Sequence, residues 1–272
     1  MQLKPFRAII SDMDGTLLNA DHTLGLFTIE TIEKLAKSGI DFILATGRPY
    51  ADVASIISKI NIKNAAMITS NGAKAHDLSG NLLFSHYLPE AVAKSIMGFH
   101  FDTANICLNS YQDEGWFINT EVPQLAKFHQ DSGFHYQVVD FSKHHANNTE
   151  KVFFIARSPQ DLIPLEKQLV QEFGNEISLT YSTPFCIEVM NKNVSKATAL
   201  AQLIENRDYS LKDCIAFGDG MNDIEMLTEV GKGCMMSNAD PRLVAKCPHL
   251  EQIGLNHHES VASYLRAIFG VY

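Results

Sequence analysis

Ser11-Asp12-Met13-Asp14-Gly15-Thr16-Leu17-Leu18 decides the reading of this chain. The stretch follows the apolar run Ala8-Ile9-Ile10 and sets two carboxylates one residue apart. Residues i and i+2 of an extended segment project to the same side, so Asp12 and Asp14 can converge on one point. Gly15 permits a sharp turn there. Two acids at the end of a buried strand are unfavourable unless a cation or a reaction needs them. The pattern points to phosphate chemistry with a hard metal ion.

Outward from this stretch, strand and helix alternate. Phe42-Ile43-Leu44-Ala45 and Ala65-Ala66-Met67-Ile68-Thr69 read as buried strands. Ile29, Ile32, Leu35 and Ala36, then Val53, Ile56, Ile57 and Ile60, recur at helical spacing, with Pro49 opening the second helix. The rhythm returns late in the chain. Ala197, Leu200, Leu203 and Ile204 mark a helix, Cys214-Ile215-Ala216-Phe217 a strand, Ile224, Met226 and Leu227 a helix, and Gly233-Cys234-Met235-Met236 a strand. Such alternation predicts a parallel sheet with helices on both faces, whose ligands bind at the carboxyl ends of the strands. Asp12, Thr46, Ser70-Asn71 and Asp219 all fall at strand ends, hence at one edge of one sheet.

The middle has another texture. From 85 to 187 the segments around Ile106, Trp116, Tyr136, Val152 and Ile177 read as strands with helical patterns between them, and no acid marks a strand end. This predicts an inserted α+β domain, with 1–84 and 188–272 forming the core.

Bulk properties narrow the function classes. The chain has 272 residues, 46% of them hydrophobic and 19% charged, which allows a sizeable core. A net charge of -9 makes a nucleic-acid backbone a poor partner. The five cysteines form no C-x-x-C pair and read as reduced core thiols. The histidines, His144-His145 and His257-His258 among them, form no H-x-x-x-H zinc pattern. No run of ~18 apolar residues is present to span a membrane. Direct entry into the first strand suggests no signal peptide, so the cytoplasm is the expected compartment.

Further motifs follow the first. Thr46-Gly47-Arg48 places a hydroxyl and a glycine before a helix start, where anions bind. Lys196 sits at a helix N-terminus, where a cation opposes the dipole unless an anion joins it. Gly218-Asp219-Gly220-Met221-Asn222-Asp223 ends a strand with two acids four residues apart. It is not a Walker loop, since no G-K-[ST] follows. Neither acid cluster fits an EF-hand, because the glycine and glutamate positions hold other residues.

An acid pair, a hydroxyl, a lysine and a second acid cluster, in that order, resemble the haloacid dehalogenase superfamily of phosphotransferases. Ser70-Asn71-Gly72-Ala73 and the insert resemble its Cof-type group, whose cap domain is inserted after the third strand. Thr69 to Ala73, Asp113-Glu114-Gly115-Trp116-Phe117 and Cys214 to Asp223 are similar to bacterial phosphatases of pyridoxal phosphate and sugar phosphates within that group.

The resemblance implies a Rossmann-like α/β core with an α+β cap, and a Mg2+-dependent phosphomonoester hydrolase. Asp12 is implied as the nucleophile, forming an aspartyl-phosphate, and Asp14 as general acid and then base. Mg2+ is implied on Asp12, the Asp14 carbonyl and Asp219. Met13 and Gly47 (through their N–H groups), Thr46, Lys196 and Asn222 are implied to bind the phosphoryl oxygens, with Asp223 orienting Lys196 or a water on the metal. Many relatives carry Leu or Phe where Met13 stands, but only its backbone is implicated.

Two other readings share these residues. A phosphomutase would return the phosphate to sugar, and a non-enzymatic phospho-acceptor module would use Asp, Thr and Lys around Mg2+. Asp14 and the insert speak against the second. Pyridoxal 5′-phosphate is the first expected substrate and hexose phosphates the next, with Trp116, Phe117 or Tyr181 as candidates to stack on a flat ring.

Overall fold

A computed structural model describes residues 5–125 and 132–271. Residues 1–4, on which the expectation of direct entry into the first strand rests, lie outside the described residues. The chain runs β1 (Ala8–Ser11), α1 (Leu26–Lys37), β2 (Asp41–Ala45), α2 (Tyr50–Ile57), β3 (Ala65–Thr69), β4 (Lys74–Asp77) and β5 (Leu82–Ser85). Next come α3 (Glu90–Met97), β6 (Ile106–Gln112), β7 (Gly115–Ile118), β8 (Tyr136–Val138), β9 (Thr149–Ala156), α4 (Pro159–Phe173), β10 (Ile177–Thr183) and β11 (Cys186–Asn191). It ends with α5 (Lys196–Ile204), β12 (Cys214–Gly218), α6 (Ile224–Glu229), β13 (Lys232–Met235), α7 (Pro241–Lys246), β14 (Glu251–Gln252) and α8 (Ser260–Phe269).

The first sheet has the order β14-β13-β12-β1-β2-β3-β4-β5. It is parallel from β14 to β3, as the alternation predicts. The β4-β5 hairpin then extends it antiparallel, which no periodicity announced. Side-chain alternation splits β1 between two layers. Ile9 joins Ile32, Leu35 and Leu265 on one face, whereas Ala8 and Ile10 join Leu200, Met226 and Leu243 on the other. At about 0.8 kcal/mol per buried methylene, this two-sided burial holds the strand ends that carry the acids.

The insert forms a second sheet, ordered β10-β11-β9-β6-β7-β8, antiparallel except at β7-β8. Leu108, Phe154, Ile187 and Val189 face the layer of α3 and α4, where Ile96 and Leu165 pack. Cys107, Tyr111, Trp116, Phe153 and Cys186 form the other face. The expected return to the core at 188 is corrected, since β11 stays paired in this sheet to Asn191. Glu188, polar inside an apolar run, hid the strand because it points away from the helices while Ile187 and Val189 point toward them. Among the described residues no helix is long and apolar enough to cross a membrane, and all five cysteines are free and buried.

Candidate active site

The carboxyl ends of β1, β2, β3 and β12 carry the predicted polar residues to one edge. The Asp12 N–H donates to Phe217 O at 2.9 Å, and the Leu18 N–H to Met13 O at 2.9 Å closes the loop after β1. Gly15 has φ +74°, and a Cβ there would lie 2.2 Å from Asp219 Oδ2. Glycine is therefore required twice over, by conformation and by space. Next to it the Thr16 hydroxyl donates to Asp219 Oδ1 at 2.8 Å.

Asp12, Asp219 and Asp223 bring carboxylate oxygens within 4.8 Å of one another. Lys196, the first residue of α5, is fully buried and donates to Asp12 Oδ1 at 2.5 Å and Asp223 Oδ1 at 2.7 Å. Burial pulls the lysine down, but the two acids hold it above its ordinary range. Burial pushes Asp12 well above the usual carboxylate range despite Lys196. Burial, and then the charge of Asp223, push Asp219 up to about 7. Three crowded acids share one ammonium, leaving uncompensated negative charge of the kind a divalent cation relieves. An all-oxygen donor set suits a hard ion such as Mg2+. Asp223 Oδ2 also accepts the Asp219 and Gly220 N–H groups at 3.0 and 2.8 Å, so it shapes the loop that presents Asp219.

The Asp14 side chain turns away from this cluster. Arg48 donates to it through Nε at 2.7 Å and Nη2 at 2.5 Å, and His22 Nδ1 lies 3.3 Å away. Burial opposes ionisation, yet His22 and Arg48 hold Asp14 far below the usual carboxylate range. Held this way, it is ionised. Arg48 is itself anchored by Asp52 at 2.8 Å, and Asp52 accepts the Ser132 hydroxyl from the insert.

A cleft of ≈ 730 Å³ opens above these residues, lined by Asp12, Asp14, Thr46, Gly47, Asp219 and Asn222. Thr46 is buried, and its Oγ1 accepts the Arg48 N–H at 3.1 Å. Met13, Lys196 and Asp223 do not line the cleft, and Lys196 and Asp223 support it from behind. The far wall is the free face of the second sheet: Tyr111, Trp116, Phe153, Ile155 and Cys186, with the β10-β11 turn at Pro184-Phe185. Of the three aromatic candidates Trp116 lines the cleft, and Phe117 and Tyr181 do not. Phe117 alternates to the other face and packs on His144 at 4.4 Å. Tyr181 belongs to that face too, donating to Glu166 at 2.7 Å, with Arg242 over its ring at 5.0 Å.

Sequence reasoning missed several groups. Arg48 was visible beside Thr46 and Gly47, yet its pairing with Asp14 needs the turn after β1. Lys151 donates to Gly47 O at 2.8 Å and Glu188 Oε1 at 2.6 Å, and lies 4.9 Å from the Tyr111 and Phe153 rings. Nothing in its local sequence signals this, because its partners come from distant strands.

The chain is similar to known proteins over nearly its whole length. The sequence profile of the haloacid dehalogenase-like hydrolases matches residues 9–265. A Haemophilus influenzae protein named "Putative phosphatase" is 57% identical over 267 residues, covering 98% of each chain. The HMP-PP phosphatase of Yersinia pestis is 38% identical over 260 residues, 96% of this chain and 94% of that one. Among solved structures, a haloacid dehalogenase-like hydrolase from B. subtilis shares the fold at TM-score 0.83 and 23% identity, covering 96% of this chain and 99% of that one. The subclass IIB sugar phosphatase BT4131 does so at TM-score 0.82 and 20% identity, covering 98% and 100%. With its acids at the strand ends of a parallel sheet and a second domain set over them, the chain belongs to the haloacid dehalogenase-like hydrolases.

Proposed function

We propose that this chain is a phosphatase of small phosphorylated metabolites, working through an aspartyl-phosphate on Asp12. The observation that carries the reading is the buried Lys196 bridging Asp12 and Asp223 at the polar end of a cleft whose other wall is aromatic. An Asp12 carboxylate oxygen attacks phosphorus as the ester oxygen leaves, taking a proton delivered by Asp14. Water then attacks phosphorus, yields its proton to Asp14 and breaks the acyl-phosphate bond. To deliver the first proton, Asp14 must leave the grip of Arg48 and take up a proton from solvent.

Asp12, Asp219 and the Asp14 main-chain carbonyl would hold Mg2+, which when bound shields the crowded anions and polarises the phosphoryl oxygens. Thr46, Asn222 and the Gly47 N–H, which line the cleft, bind the phosphoryl group, and Lys196, behind Asp12, steadies the nucleophile's charge. The cap chooses the organic part, since the core residues address only phosphate and metal. Pyridoxal 5′-phosphate suits the aromatic wall, with hexose phosphates next.

The test is phosphate release from a panel of phosphorylated metabolites with Mg2+. Pyridoxal 5′-phosphate should give the highest kcat/KM, and Phe185→Ala (Phe185 is 44% exposed) should reduce its lead over glycerol phosphates without loss of fold. A flat profile in both proteins would refute selection by the cap. Label passing between sugar phosphates without free phosphate would show a phosphomutase instead.

A further inference from the structure

Ser70, Asn71 and Gly72 follow β3 with φ of +49°, +59° and +105°, three left-handed residues in a row. Such backbone persists only where its surroundings over-determine it. Here a Cβ on Gly72 would lie 2.3 Å from Ser195 O, so the turn is pressed against the start of α5. The turn delivers the buried Asn71 side chain between cap and core. Its Nδ2 donates to Glu188 Oε2 of β11, and its Oδ1 accepts from Asn222 Nδ2 at 3.0 Å.

The polarity of this chain of amides follows from one end. Glu188 accepts from the Lys151 ammonium at Oε1 and presents Oε2 to Asn71. Asn71 must therefore offer it the NH2 group, which leaves the Asn71 carbonyl facing Asn222. Asn222 must answer with its own NH2, whose second proton is then available to an acceptor. Flipped the other way, Asn222 would present a carbonyl to an anion.

We propose that Glu188, a cap residue, is a positioning residue for phosphoryl binding: acting through Asn71, it fixes the donor face of Asn222. Phosphate affinity is thereby coupled to the seating of the cap. The inference rests on the reading of Asn222 as a phosphoryl ligand.

The experiment measures kcat, KM and the inhibition constant of inorganic phosphate for Glu188→Gln, Asn71→Gly, Asn222→Ala and the pairwise combinations with Asn222→Ala. A glutamine cannot offer oxygen to both Lys151 and Asn71, and glycine keeps the left-handed turn. Each single variant should weaken inorganic phosphate by about tenfold or more, the scale of one hydrogen bond to a charged group. In the Asn222→Ala background, Glu188→Gln and Asn71→Gly should add nothing. Multiplying effects would overturn the relay while leaving Asn222 as a ligand. Unchanged phosphate inhibition in Asn222→Ala would overturn the ligand reading and the relay together. If Glu188→Gln does not fold, Asn71→Gly carries the same comparison.

Discussion

Lys196 Nζ lies 2.5 Å from Asp12 Oδ1, and the lysine side chain has no solvent exposure. The helix dipole at the start of α5 opposes a cation, and two carboxylates overcome it. Read from sequence, Lys196→Met should lose turnover and little stability. The structure changes that expectation. Removing the ammonium strands two buried acids, and breaking a buried pair in this way costs about 3–5 kcal/mol. Lys196→Met should therefore lose both turnover and stability, checked by kinetics on the folded fraction and by urea unfolding. Full activity with wild-type stability would refute both roles.

Asp12→Asn should behave oppositely. It removes the attacking charge and one of three crowded acids. Turnover should vanish while the melting temperature of the metal-free protein holds or rises. Appreciable phosphate release by the purified variant would contradict the nucleophile assignment.

Asp14→Asn should discriminate by leaving group. An alkyl ester needs its departing oxygen protonated, whereas p-nitrophenolate leaves without help. Proton transfer by a positioned side chain contributes typically 10²–10⁴-fold, so alkyl phosphates should slow by about that factor and p-nitrophenyl phosphate by much less. Equal losses on both substrates would argue that Asp14 acts in some other way.

Mg2+ should stabilise the folded protein as well as activate it. A ligand at a hundred times its Kd adds about 2.7 kcal/mol, visible as a rise in melting temperature over the chelator-treated protein. Asp219→Ala should need more Mg2+ for both effects. Full activity after exhaustive chelation would overturn the metal requirement.

His22 supplies a pH test. Its hydrogen bond to Asp14 raises the imidazole pKa, with burial opposing. A raised folded value contributes stability that is complete below the unfolded pKa of about 6.5 and fades as pH rises through the folded value. The side chain is 50% exposed, so solvent screening limits the effect to about 0.5 kcal/mol. Metal-free wild type should exceed His22→Gln in stability near pH 5.5 and match it near pH 9. The reverse order would show that the pair does not stabilise the fold.

The sequence alone determined what depends on neighbours along the chain. Hydrophobic period distinguishes the strands around Ile9, Ile43 and Ile215 from the helices between them, and a parallel sheet must then gather Asp12, Thr46 and Asp219 at one edge. Gly15 was legible because a turn beside two acids has few alternatives. Tertiary structure alone decided what depends on distant partners. Side-chain parity in the second sheet sent Trp116 to the cleft and Phe117 behind it. The turn after β3 and the path of β11 joined Asn71 to Glu188, separated by more than a hundred residues. Asp14 met Arg48 rather than Asp12 because β1 ends at Ser11, so the strand alternation that would align the two acids does not reach them. Local pattern encodes which face a residue occupies within its own element; which residue lies across from it is settled only when the elements pack.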